Sequence, residues 1–126
     1  MALPAKRILS LGQCGADHAA ISWTVRASLD AEVVAAATAE EALDLLRNAH
    51  FDLVLVNRVL DWDGSLGLDF IAQVKADPDL PQVPVMLVSN YEESQEEAVK
   101  RGAVRGFGKS ALQNPQTLDL VKKALG

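Results

Sequence analysis

Residues 51–56 read FDLVLV, apolar at consecutive rather than alternate positions. A strand that is oily on both faces needs cover on both, and a parallel sheet between two helical layers supplies it. The remaining sequence provides the parts. RILSL at 7–11, stopped by Gly12, reads as a buried first strand, and EVVAA at 32–36 as a shorter second. VPVMLV at 83–88 reads as a fourth strand, and residues 105–108 as a weaker fifth.

Helical spacing fills the intervals. Asp17 stands where it can cap a helix running to about Leu29, with Ile21, Val25 and Leu29 on one face. Thr38-Ala39-Glu40-Glu41 is a capping box that opens a helix carrying Ala42, Leu45 and Leu46. Residues 66–76 place Leu68, Ile71 and Val74 at helical intervals, and the acidic stretch 92–101 reads as a helix with a solvated face. Asn114-Pro115 is a cap with proline at the first helical position, followed by Leu118, Val121 and Leu125. Strand and helix therefore alternate five times. This predicts an α/β, flavodoxin-like, doubly wound five-stranded parallel sheet of order 2-1-3-4-5 with five helices. At 126 residues, one domain spanning 1–126 is expected.

Composition removes several classes. The net charge of -5 comes from 17 acids and 12 bases with no basic stripe, which argues against nucleic-acid binding. The one cysteine, Cys14, excludes an intrachain disulfide, and with His18 it is too few ligands for a metal. His50, before the third strand, reads as surface. No apolar run approaches spanning length and no leader pattern opens the chain, so a soluble cytoplasmic protein without membrane contact is expected. GQCG at 12–15 matches neither a P-loop nor GxGxxG, and Asp17-His18 lacks the spacing of a cobalamin motif. A small flavodoxin-like cofactor-binding protein is thus an alternative with little behind it.

In a doubly wound fold, ligands sit beyond the carboxyl ends of the strands. Those ends carry Gly12-Gln13, Asn57-Arg58, Ser89-Asn90 and Lys109. With the phrases FDLVLVN at 51–57, VPVMLVS at 83–89 and GAVRGFGK at 102–109, the chain resembles a CheY-like receiver domain of two-component response regulators along nearly its whole length. The resemblance implies a phosphoacceptor at position 57, a switch hydroxyl at Ser89, an invariant lysine at Lys109 and an acid pair for Mg²⁺ after strand one. It also implies a switch aromatic at position 106.

Several of these positions depart from the pattern. Asn57 offers an amide where an anionic oxygen nucleophile is needed. Gly12 and Gln13 hold no carboxylate for a hard cation. Gly106 has no side chain, with Phe107 displaced by one. Asp61 replaces the usual proline, and Ser110 follows Lys109 in place of another. The reading is a degenerate receiver, or pseudo-receiver, without enzymatic activity or a cofactor, its Mg²⁺ binding lost. The alternative is a phosphorylation-responsive receiver with an atypical site. Asn57 is expected to satisfy neighbouring backbone groups or Lys109, and Lys109 to bond the Asn57 oxygen; an anion pocket with Arg58 is the competing reading. Asp61 and Asp63 read as solvated loop carboxylates.

Protein partners are expected through Trp62 and Tyr91: on the Trp62 loop, or on the helix 4–strand 5–helix 5 face with its acidic segment. A homodimer is among the assemblies this allows. Trp62 reads equally as an interface anchor or as a lid over the emptied pocket. Trp23, outside the helix-one apolar stripe, reads as a second contact or as cover for a helix seam.

Overall fold

The computed structural model describes residues 6–126. Strands β1 (Lys6–Leu11), β2 (Ala31–Ala36), β3 (Leu53–Asn57), β4 (Val85–Val88) and β5 (Val104–Phe107) alternate with five helices. These are α1 (Gly15–Ser28), α2 (Ala39–Asn48), α3 (Gly67–Ala76), α4 (Glu92–Lys100) and α5 (Pro115–Leu125), with a 3₁₀ turn over Lys109–Ala111 before the last. All pairings are parallel and the order is β2-β1-β3-β4-β5, as the alternation predicts.

The reason lies in β3, whose residues Leu53 to Val56 are all fully buried. Successive side chains point to opposite faces. Val54 and Val56 enter a core with Leu9, Leu11, Leu87, Leu46 of α2, and Phe70 and Ile71 of α3. Leu53 and Leu55 enter a second core with Ile8, Met86, Ile21 and Val25 of α1, and Val121 and Leu125 of α5. One strand is thus shared by two hydrophobic layers.

Element ends differ from expectation for local reasons. The apolar run of the fourth strand begins at Val83, but pairing begins at Val85. Pro84 has no N–H to give, although its carbonyl accepts from Val54 N–H at 2.9 Å. Phe51 is buried but precedes the β3 ladder, where Asp52 N–H bonds Arg7 O and Asp52 Oδ2 accepts from Arg7 N–H. Of the capping box at 38–41, Thr38 Oγ1 accepts from Glu41 N–H at 3.2 Å, and that is the half that forms among the described residues. Asp17 does not cap α1. Cys14 is the N-cap, its Sγ accepting from Asp17 N–H at 3.4 Å.

The β4–β5 edge departs most from a regular ladder. Met86 pairs with Val104 but Val88 pairs with Phe107, so β5 carries one extra residue. Gln95 of α4, only 3% exposed, fills the irregularity. Its Nε2 donates to Leu87 O at 2.9 Å and Ser89 O at 3.1 Å, and its Oε1 accepts from Gly106 N–H at 3.0 Å. A Cβ at Gly106 would lie 2.2 Å from Leu87 O, so the close approach needs glycine. Phe107, the displaced aromatic, turns into the α1–α5 core.

The acidic face of α4 is partly neutralised from within. Glu92 pairs with Arg105 of β5, and Glu97 with Arg101, which also reaches Asp69. Gln95→Ala should remove four buried hydrogen bonds, the long one to Phe107 O included, and leave strand groups unpaired, destabilising the fold by about 2–4 kcal/mol. Urea unfolding checks this: the midpoint should fall with the m-value unchanged.

Candidate functional site

The carboxyl end of β3 delivers Asn57 to the sheet's upper rim, and its amide is satisfied entirely by backbone. Nδ2 donates to Gly12 O at 3.0 Å and to Val59 O at 2.9 Å, while Oδ1 accepts from Arg58 N–H at 3.1 Å. These partners fix the orientation of the amide, because reversing it would set oxygen against two carbonyls. Asn57 thereby ties the end of β1 to the loop after β3.

The same loop closes over Gly12. Leu60, 1% exposed, packs where a Gly12 side chain would project: a Cβ there would lie 2.3 Å from Leu60 Cδ2 and 3.0 Å from its Cα. Gly12 also has φ +78°, in the left-handed region that favours glycine. Its carbonyl accepts a second bond, from Asp61 N–H at 2.9 Å. Leu60 N–H donates to Ser65 O, Gly64 N–H to Leu60 O, and Val59 bridges Leu66 antiparallel, so residues 59–66 form a small hairpin. At its tip Trp62 is 76% exposed. Trp62 is too exposed to be a lid over the strand-end cavity, and Leu60 covers Gly12.

Lys109 does not bond Asn57. Its Nζ pairs with Asp17 Oδ2 at 2.6 Å, both side chains about a third exposed. The bonded ammonium holds the Asp17 carboxyl below its usual value. A depressed carboxylate pKa adds stability above the unfolded value of about 3.9, and that stability is lost as pH falls through the folded value. Solvent at this partly exposed pair screens the contribution.

A cavity of about 340 Å³ brings together Asn57, Arg58, Val59, Val88, Ser89, Asn90, Tyr91 and Lys109. The strand-end residues of β3, β4 and β5 thus meet. Gly12 reaches them through Asn57, and Gln13 does not line the space. The buried amide atoms of Gln13 find no hydrogen-bond partner within the protein among the described residues. Arg58 stacks over the Tyr91 ring at 4.8 Å. Ser89 Oγ accepts from Tyr91 N–H at 3.1 Å, and Asn90 Oδ1 accepts from Ser110 Oγ at 2.9 Å.

His50 is exposed and bonds Asp52 at 2.9 Å, away from this cavity. Asp63 caps its own loop through Ser65 N–H and Oγ, which lowers its carboxyl pKa. Among the described residues no group of three His, Cys, Asp or Glu side chains is placed to hold a metal ion. Trp23 lies on α1 at 70% exposed.

Residues 17–120 match the family described as the response regulator receiver domain. The chain belongs to that family. As a receiver it is the signalling module of two-component systems, a class that works through protein partners. The polar-differentiation response regulator DivK of Brucella abortus (strain 2308) is 29% identical over 87 residues, covering 68% of this chain and 69% of the relative. Among solved structures, a putative response regulator from Chloroflexus aurantiacus superposes with TM-score 0.81 at 19% identity, covering 95% of this chain and 97% of its own. The receiver domain of the Francisella response regulator 1452 gives TM-score 0.79 at 15% identity, covering 95% and 96%. Chemotaxis response regulator CheY4 of Vibrio cholerae gives 0.71 at 20%, covering 94% and 98%. At these identities the structures speak to the fold.

Leu60, Gln95 and the Asp17 partner of Lys109 are the residues of this receiver's site region that sequence reasoning missed. Asn57→Asp should set a carboxylate oxygen against the carbonyls of Gly12 and Val59, destabilising the fold by about 2–4 kcal/mol at neutral pH. The two carbonyls raise the new carboxyl's folded pKa. The deficit relative to wild type should therefore be small below the ordinary value of about 3.9 and grow as pH rises through the raised one. Paired urea titrations of variant and wild type across that range check the sign.

Proposed function

We propose that this receiver works without phosphorylation, as a pseudo-receiver that docks protein partners. The observation that carries the reading is the Asn57 amide, which directs both its protons at the carbonyls of Gly12 and Val59. The family's chemistry would need an anionic nucleophile and a divalent cation at this place. Mg²⁺ is hard and takes oxygen ligands in strict geometry. An N–H donor between two neutral carbonyls, with Gln13 neutral and Gly12 unable to carry a side chain, does not fit it.

The partner-facing role falls first to the hairpin at 59–66. Burial of Leu60 anchors it, while Trp62 projects between Asp61 and Asp63. A rigid, exposed tryptophan offers large contact area at low entropic cost. The acidic flanks favour an apolar recess rimmed by bases. Tyr91 is the less exposed candidate, and Arg58 already covers one face of its ring.

A phosphorylation-responsive receiver remains the competing reading, favoured by one observation: Ser89 and Lys109 line the same cavity as Asn57. Incubation with a small-molecule acyl phosphate and Mg²⁺, followed by intact mass, separates the two. Neither the wild type nor Asn57→Asp should gain a phosphoryl group, and beryllofluoride with Mg²⁺ should leave the amide signals of Asn57, Ser89 and Lys109 in place. Robust phosphorylation of the wild type would sink the proposal.

A further inference from the structure

We infer that the outer face of α1 is a self-association surface, on which a second copy of this chain docks with its own α1 antiparallel. The inference goes beyond the pseudo-receiver reading and does not depend on the chemistry at position 57.

Helix α1 is apolar on two sides. Ile21 and Val25 enter the core it shares with α5, and Thr24 is buried beside them. The opposite side carries Ala16, Ala20, Trp23 and Ala27, all exposed. Trp23 is 70% exposed. A helix lying on a sheet ordinarily turns charge toward water. Other helices here do so, through Glu40 and Asp44 on α2, Glu92 and Glu96 on α4, and Asp119 and Lys122 on α5. On α1 the one fully exposed charge is Arg26.

The spacing of this outer face says what covers it. Positions 16, 20, 23 and 27 step by four, three and four, the narrow seam of a coiled coil and not a scattered surface pattern. Two such seams related antiparallel by a two-fold axis set Trp23 against Ala20 of the second copy, and Ala16 against Ala27. Each indole then meets a methyl group with space around it, and every contact is made twice. A parallel pair would drive the two indoles against each other. A hollow of about 570 Å³ along Ala19, Ser22 and Arg26 flanks the indole and receives the side of the second helix. The antiparallel sense also opposes the two helix dipoles.

Charge selects a second copy for this face. The chain carries a net charge of -5, so two copies repel unless they meet where carboxylates are few. The Trp62 hairpin brings Asp61 and Asp63 into any contact, and α4 brings its acidic run. The α1 seam brings none, and Asp17 at its flank is neutralised by Lys109 at 2.6 Å. A helix of 14 residues is only about 21 Å long, which makes a contact smaller than a standard interface. The dimer is therefore reversible, with a dissociation constant of about 10–500 μM.

The test is sedimentation equilibrium of the whole chain from about 5 μM to 1 mM, a span that brackets that constant. A monomer–dimer equilibrium is expected. Trp23→Lys should raise the dissociation constant about tenfold or more, with an unchanged urea midpoint showing that the variant folds. Trp62→Ala should leave the constant as it was. In a Cys14→Ser background, Ala16→Cys and Ala27→Cys proteins should form a mixed disulfide on oxidation more readily than either forms one with itself. A chain that stays monomeric throughout would overturn the inference and leave the face to a different protein. A dimer indifferent to Trp23→Lys, or Ala27→Cys pairing preferentially with itself, would overturn it as well. Failure here leaves the reading of Asn57 untouched, because no arm involves Mg²⁺ or a phosphoryl donor.

Discussion

Everything in this molecule hangs on a strand with no wet side. Leu53 to Val56 are fully enclosed, and each successive residue belongs to a different hydrophobic layer. That enclosure demands helices above and below the sheet, and right-handed crossovers then leave the strand ends together at one rim. Placement of the cavity residues on that rim follows first from the burial of β3. Arg58 and Lys109 are like charges that the scaffold holds near one space.

At the rim a second constraint takes over: backbone carbonyls at strand ends must find donors. The Gly12 carbonyl finds two, Asn57 Nδ2 and Asp61 N–H. Both come from the segment after β3, so the loop is drawn down onto β1 and Leu60 is pressed into the gap above the glycine. A neutral amide here performs the joining with no net charge, which leaves Lys109 free to take its carboxylate from α1 instead.

Much of this was legible in the sequence, and the exceptions share a cause. Apolar runs and helical intervals gave all five strands and helices because burial repeats along the chain with the period of the element. The strand-end residues were legible because the fold rule places them. Cys14 was not, since a thiol is a weak acceptor and Asp17 offers a stronger oxygen at the expected position. Gln95 sits in the acidic run 92–97 and looks like solvated surface; its partners are backbone groups, which no side-chain pattern announces. Lys109 was assigned to Asn57 because they share the rim, while its partner lies on a helix whose rotation the apolar stripe fixes only loosely. Leu60 did carry a signal, an apolar residue beside Val59 ahead of a run of Asp and Gly, and it packs over Gly12.

The Gln95 stitch has a bearing on communication across the domain. Transmission from one site to another needs an element with two arrangements of similar energy, which each site biases. Here the route from the cavity to the α4–β5 surface passes through Ser89 O, Leu87 O and Gly106 N–H, all held by one buried side chain. The position that would carry a moving ring is a glycine pressed against the Leu87 carbonyl. Moving this segment would break the buried hydrogen bonds of Gln95, so any arrangement that couples the two surfaces has to replace them.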